Sequence, residues 1–158
     1  MFCSKPVCVG FLVSCLVFCA NTFARASEKP IKMKDLPEAV RKTVQEQSKG
    51  ATLGGLTKEL EKGQIFYEAK LKVNGHNKDL LIDSSGAIVE IEEVVTLNSL
   101  PAAVKATILK SAGKGKITSV ESITKNNALE AYEAHITRAG KSSEIKVDAG
   151  GKLISAEK

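Results

Sequence analysis

An internal duplication constrains this chain more than any other feature. Leu36-Pro37-Glu38-Ala39-Val40-Arg41 recurs as Leu100-Pro101-Ala102-Ala103-Val104-Lys105, an offset of 64. Tyr67-Glu68-Ala69 recurs as Tyr132-Glu133-Ala134, an offset of 65. At that second offset Gly75 matches Gly140, Asp83 matches Asp148 and Gly86 matches Gly151. One residue is gained between the blocks, near Asn126-Asn127. A repeat of this length means one supersecondary unit used twice. The sequence therefore divides into a leader (1–26), a basic lead-in (27–34) and two units (35–98 and 99–158).

Each unit has one plan. It opens with a helix, in which Leu36, Val40 and Val44, or Leu100, Val104 and Ile108, fall on one face at spacing four. Asp35 and Glu38 have the spacing of a capping box, and Pro37 suits a first helical turn. Gly50 and Gly113 are stops. The rest is β. Tyr67-Glu68-Ala69-Lys70-Leu71-Lys72-Val73 alternates apolar and charged residues, so one face is packed and the other wet. Tyr132, Ala134 and Ile136 against Glu133, His135 and Thr137 repeat the pattern. Asn74-Gly75 is a hairpin turn, replaced by Ala139-Gly140. Asp83-Ser84-Ser85-Gly86 and Asp148-Ala149-Gly150-Gly151 form second turns, and closing strands run over 87–95 and 152–156. A weaker strand passes through Leu53 and Leu56, matched by Ile117 and Val120, with a bulge at Gly54-Gly55. The fold class is α+β: two tandem repeats, each with one helix packed on a three- to four-stranded antiparallel sheet. Joining of the two sheets into one concave sheet is left open.

This order of residues resembles PepSY-like domains: Leu-Pro before a helix, a Tyr-Glu strand, a Gly turn, an Asp-x-x-Gly turn and a closing strand. It is similar to the tandem arrangement grouped with the β-lactamase-inhibitory-protein-like fold. The resemblance covers nearly all of 35–158. It implies a bacterial envelope or secreted protein with a non-enzymatic binding or inhibitory role, and it carries no active-site residue across.

The leader agrees with export. Val7 to Ala20 is almost wholly apolar, Lys5 precedes it and Ala24-Arg25-Ala26 ends it, which is the layout of a secretory signal peptide. The apolar run is short for a transmembrane helix, so no transmembrane segment is expected after processing. All four cysteines, Cys3, Cys8, Cys15 and Cys19, lie there, and cleavage after Ala26 would leave no thiol chemistry and no disulfide. A second reading takes Leu12-Val13-Ser14-Cys15 as a lipobox, with Cys15 acylated. With Lys5 and Arg25 in the leader, 21 basic against 18 acidic residues remain, a net charge of +3. That diffuse charge and three remaining aromatics, Phe66, Tyr67 and Tyr132, argue against nucleic-acid binding. The first unit carries −3 and the second +4.

Catalytic and metal patterns are missing from the sequence. His76 and His135 are not equivalent: the first aligns with Lys141, the second with Lys70. Both read as solvated or partner-contacting residues, not as ligands. Ser84 and Ser85 lack the glycine of a nucleophile elbow, since Asp83 stands there. Gly113-Lys114-Gly115-Lys116 has Lys110 where a phosphate loop needs glycine. No cofactor is expected. The candidate partner-binding surface is the wet sheet face, with Glu68, Lys70, Lys72, Leu81, Glu133, His135 and Lys146. The function expected is recognition of a protein or peptide. The alternative is a small-ligand or lipid-binding protein using a groove under a helix or between the units. Oligomeric state is left open.

Overall fold

A computed structural model describes residues 28–157 of the protein. The leader expected at 1–26, with its A-x-A site and Cys15, lies outside the described residues.

The chain runs β1 (Lys29–Pro30), a 3-10 turn (Met33–Asp35), α1 (Glu38–Gln47), β2 (Thr52–Glu61), β3 (Gln64–Val73), β4 (His76–Asp83) and β5 (Ile88–Val94). A second 3-10 turn (Leu97–Ser99), α2 (Ala102–Ala112), β6 (Lys116–Lys125), β7 (Ala128–Arg138), β8 (Lys141–Asp148) and β9 (Leu153–Glu157) follow. All strands pair antiparallel with their sequence neighbours in one nine-stranded sheet, ordered β1 to β9.

This corrects the expected fold class. Two repeats, each with a helix on its own three- to four-stranded sheet, do not form. One large sheet dominates, with two α-helices against it among the described residues. β5 pairs with β6 through the expected boundary, from Glu90↔Lys125 to Val94↔Glu121. The physical cause is the edge. A unit that stopped at β5 would leave a row of unpaired backbone N–H and C=O groups, and pairing with β6 satisfies them.

The register puts both helices on one face. Tyr67, Ala69, Leu71, Leu80 and Ile82 pack with Leu36, Val40 and Val44 of the first helical segment. Ala134, Ile136, Ile145 and Val147 pack with Leu100, Val104 and Ile108. Val40, Leu80, Val104 and Ile108 are each 0% exposed, so side chains fill the space beneath each helix. The alternation in β3 thus sorts inner from outer residues as expected.

Two local expectations change. Pro37 and Pro101 occupy the helix N-cap positions without a side-chain cap, and Asp35 ends the 3-10 turn instead of closing a capping box. The turns are tight because both central residues take positive φ, as at Asn74-Gly75 (49° and 89°) and Ala139-Gly140 (49° and 77°). That is the twist-matched hairpin geometry. The register shift between Leu53 and Gly55 places a bulge at Gly54, as expected, but its counterpart between Ile117 and Ser119 falls on Thr118 without a glycine.

Candidate functional site

The face of the sheet opposite the helices is polar, and every candidate residue lies on it. Glu68, Lys70 and Lys72 alternate with buried Tyr67, Ala69 and Leu71 on β3. Leu81 stands opposite Glu68 on β4. Glu133 and His135 share the outer face of β7, and Lys146 stands opposite Glu133 on β8. The structure brings these residues into two groups, one in each half of the sheet.

In the first group Lys70 Nζ lies 3.3 Å from Glu68 Oε1 and 4.0 Å from Asp79 Oδ2. Thr57 Oγ1 donates to Glu68 Oε2 at 2.9 Å. Burial draws the Lys70 ammonium towards neutrality, but the Glu68 and Asp79 carboxylates outweigh it and hold its pKa above the ordinary lysine value. Burial, reinforced by Glu68, raises the pKa of Asp79 and of Glu59. Glu59, Glu68, Asp79, Glu90 and Glu92 surround an open depression of about 260 Å³, with Leu81 in its wall.

In the second group Lys146 Nζ lies 3.2 Å from Glu133 Oε2. His135 sits among three carboxylates: Nε2 is 3.5 Å from Glu121 and 3.9 Å from Glu133, and Nδ1 is 3.4 Å from Glu144. Glu133, His135 and Glu144 offer donor atoms within 4.8 Å of one another, as do Glu28, Glu59 and Glu68. Those are the two places among the described residues where a cation could be held. In each, a lysine already neutralises one carboxylate, Lys146 at Glu133 and Lys70 at Glu68.

Glu92 joins the groups, and the sequence did not single it out. It lies on β5 opposite Asp79 on one side and Ile123 on the other. Burial, then the charges of Glu90, Glu121 and Glu133, push its carboxyl up to about 7. Beside it Ile123 and Ala131 pair on the outer face and are each 1% exposed, though neither belongs to the core under a helix. The alternation could have shown Glu90 and Glu92 to be on one face. It could not show that β6 would bring Glu121 beside them.

The other sequence candidates take structural positions. His76 lies on the helix-side face, with Nε2 2.8 Å from Glu93 Oε1. Ser85 donates from N (2.8 Å) and Oγ (2.6 Å) to Asp83 Oδ1, and the Ser84 hydroxyl donates to the Ile65 carbonyl at 3.2 Å. Gly113 caps α2, so the lysine-glycine stretch is the helix exit.

A family model described as "Putative beta-lactamase-inhibitor-like, PepSY-like" matches residues 23–90 and again 76–155. No curated protein matches the sequence. Among solved structures the chain is similar to one from Bacteroides eggerthii described as "putative periplasmic proteins". That match has TM-score 0.63 and 16% identity, and covers 77% of this chain and 88% of that one. A DUF2874 family protein from Bacteroides uniformis matches with TM-score 0.62 and 17% identity, over 77% and 88%. A BLIP-like protein from Bacteroides fragilis matches with TM-score 0.57 and 20% identity, over 77% and 85%. At these identities the likeness is one of fold.

Proposed function

Because the chain belongs to the PepSY-like, β-lactamase-inhibitor-like family, we propose that it is a non-enzymatic, exported binding module whose outer sheet face recognises a protein or peptide partner. One observation carries the reading: both helices cover the same face, and among the described residues the other face of the nine-stranded sheet is uncovered and lined with charged side chains. Fixed charges on rigid strands give orientation and on-rate to a docking protein. Inhibition or regulation of an envelope enzyme is one form of this role.

Export rests on the leader, with cleavage after Ala26, and on the periplasmic description of a structural relative. No helix among the described residues is long and apolar enough to cross a membrane. We carry the division into 35–98 and 99–158 as two copies of one unit, now sharing one sheet. A small-ligand reading would need the open groove of about 420 Å³ beside α2, lined by Ser111, Ile136, Arg138, Ile145 and Ala156.

The test is capture from the organism's own envelope extract, repeated with Lys70→Glu and His135→Glu. A stoichiometric partner whose retention falls at least about tenfold with either reversal supports the face. Retention unchanged by both reversals removes it.

A further inference from the structure

The sheet is open, and its two edges are finished differently. At the first, β1 is only two residues long, with Lys29 opposite Lys58 and Pro30 opposite Thr57. Ile31 adds one bond, its N–H donating to the Leu56 carbonyl at 3.0 Å. Pro30 has no N–H to offer a further strand, and the lysines repel a basic one. Short strands, proline and lysine are how proteins close an edge.

The other edge, β9, has none of these devices between Leu153 and Glu157. Leu153 is 44% exposed and Ile154 53%. No strand covers its outer side among the described residues. A strand edge without lysine or proline that carries exposed large aliphatic side chains is a template for pairing.

The chain shows that such an edge accepts a strand. β5 is the counterpart of β9, and each has the same irregularity against its inner neighbour, between Leu81 and Ile82 and between Lys146 and Val147. The outer side of β5 is nonetheless paired with β6 from Glu90 to Val94, whose counterparts in β9 begin at Ser155. The counterpart of β6 is β2. Residues Thr57 and Lys58 of β2, which match Glu121 and Ser122, are already taken by β1. A head-to-tail stack of copies is therefore blocked at the position that the internal junction uses.

We infer that two copies of this chain pair through β9, antiparallel about a two-fold axis, to give one sheet continuous across both. A register centred on Ser155 sets Ile154 opposite Ala156 and Leu153 opposite Glu157. Within β9 no like charges then face each other, and each Ile154 gains an apolar neighbour. The contact is isologous and closes at two copies. A pairing this short falls below about 1,200 Å² of buried surface, in the range of weak, concentration-dependent contacts. The inference stands apart from the outer-face reading, because it uses the edge of the sheet and not its face.

Sedimentation equilibrium of the purified protein from about 5 to 500 μM tests it. The expected result is a mass rising from one chain to two, with Ile154→Lys weakening association at least about tenfold. Leu109→Lys, on an equally exposed residue of α2, should leave association unchanged, and circular dichroism checks that each variant folds. Hydrogen exchange should show the outward-pointing amides of β9 gaining protection in the dimer. A single-chain mass throughout, a dimer indifferent to Ile154→Lys, or growth beyond two copies would overturn the proposal.

Discussion

Thr43 Oγ1 donates a 2.7 Å hydrogen bond to the Gly86 carbonyl, tying α1 to the β4–β5 turn across 43 residues of chain. Thr107 repeats the bond to Gly151 at 2.7 Å. Each turn is itself held by an aspartate: Asp83 Oδ1 accepts from the N–H of Ser85 and Ala87, and Asp148 Oδ1 from those of Gly150 and Lys152. Helix position is thus set by a side chain at one end and a turn at the other.

Thr43→Val keeps the shape and removes the donor. It should cost about 1 kcal/mol, the net worth of such a bond. Thr107→Val should cost a similar amount, and the double variant should be close to additive, since the sites share no partner. Urea titration of the four proteins measures this.

Gly86→Ala should cost more, on the order of 2–4 kcal/mol. Gly86 has φ +88°, and an added Cβ would stand 2.9 Å from the Ala39 backbone carbon and oxygen. Gly151→Ala meets the same obstacle, with the Ala103 Cβ at 2.7 Å. Thermal unfolding midpoints should fall for both. An unchanged midpoint would mean that helix and turn do not approach so closely in solution.

Tyr67→Ala and Tyr132→Ala should no longer be treated as equals, although the duplication pairs them. Tyr67 is 6% exposed within its core, and its truncation should cost roughly 3–5 kcal/mol. Tyr132 packs at the margin of the second core and is only partly buried. Its truncation should cost about half as much. Chemical denaturation of both variants checks the ratio.

Glu92 gives stability a pH dependence of defined sign. Its carboxyl stands at about 7, above the ordinary value of 4.5, so folding favours its protonated form. Stability from this group therefore falls as pH rises from about 4.5 through about 7. Glu59 and Asp79, also raised, push the same way. Glu92→Gln should flatten the profile and stabilise the protein at pH 8 by roughly 1–2 kcal/mol after allowance for partial solvation. Asp83 and Glu93 are held low by hydrogen bonds from Ser85 and His76, and their contribution is lost only in more acidic solution. Denaturation at pH 5 and pH 8 reads the Glu92 window, and a further measurement at about pH 3 reads the acidic one.

What could be read from the sequence was local. Helix faces, the alternation of β3 and the positive-φ turns depend on residues within a few positions of one another, and each was placed correctly. The assembly into one sheet was not legible. The stretch Ile88-Val89-Glu90-Ile91-Glu92-Glu93-Val94 says that a strand forms, but its side chains do not report whether its second edge is covered. β1 was hidden because two residues carry no periodicity, and Pro30 argues against a strand. On the outer face, Glu68, Lys70, Lys72, Glu133 and His135 could be found by alternation. Glu92 could not be singled out, because its environment comes from strands on both sides. Ala131 escaped notice because it is covered across the pairing by Ile123 of β6, which its own strand does not report.

Strand order in space is the same as strand order in the chain. Each strand finds its partner in the one made just before it, through a tight turn in every case but two: the α1 segment before β2 and the long passage from Val94 to Lys116. Six of the eight strand pairings are therefore closed by a turn between chain neighbours, which favours fast folding. Residues up to β5 can complete their core before the rest of the chain is present, an order suited to emergence from a ribosome or a translocation channel, N-terminus first. The step left for last is the closure of β5 on β6, and the entropy of that loop, with α2 inside it, should set the pace.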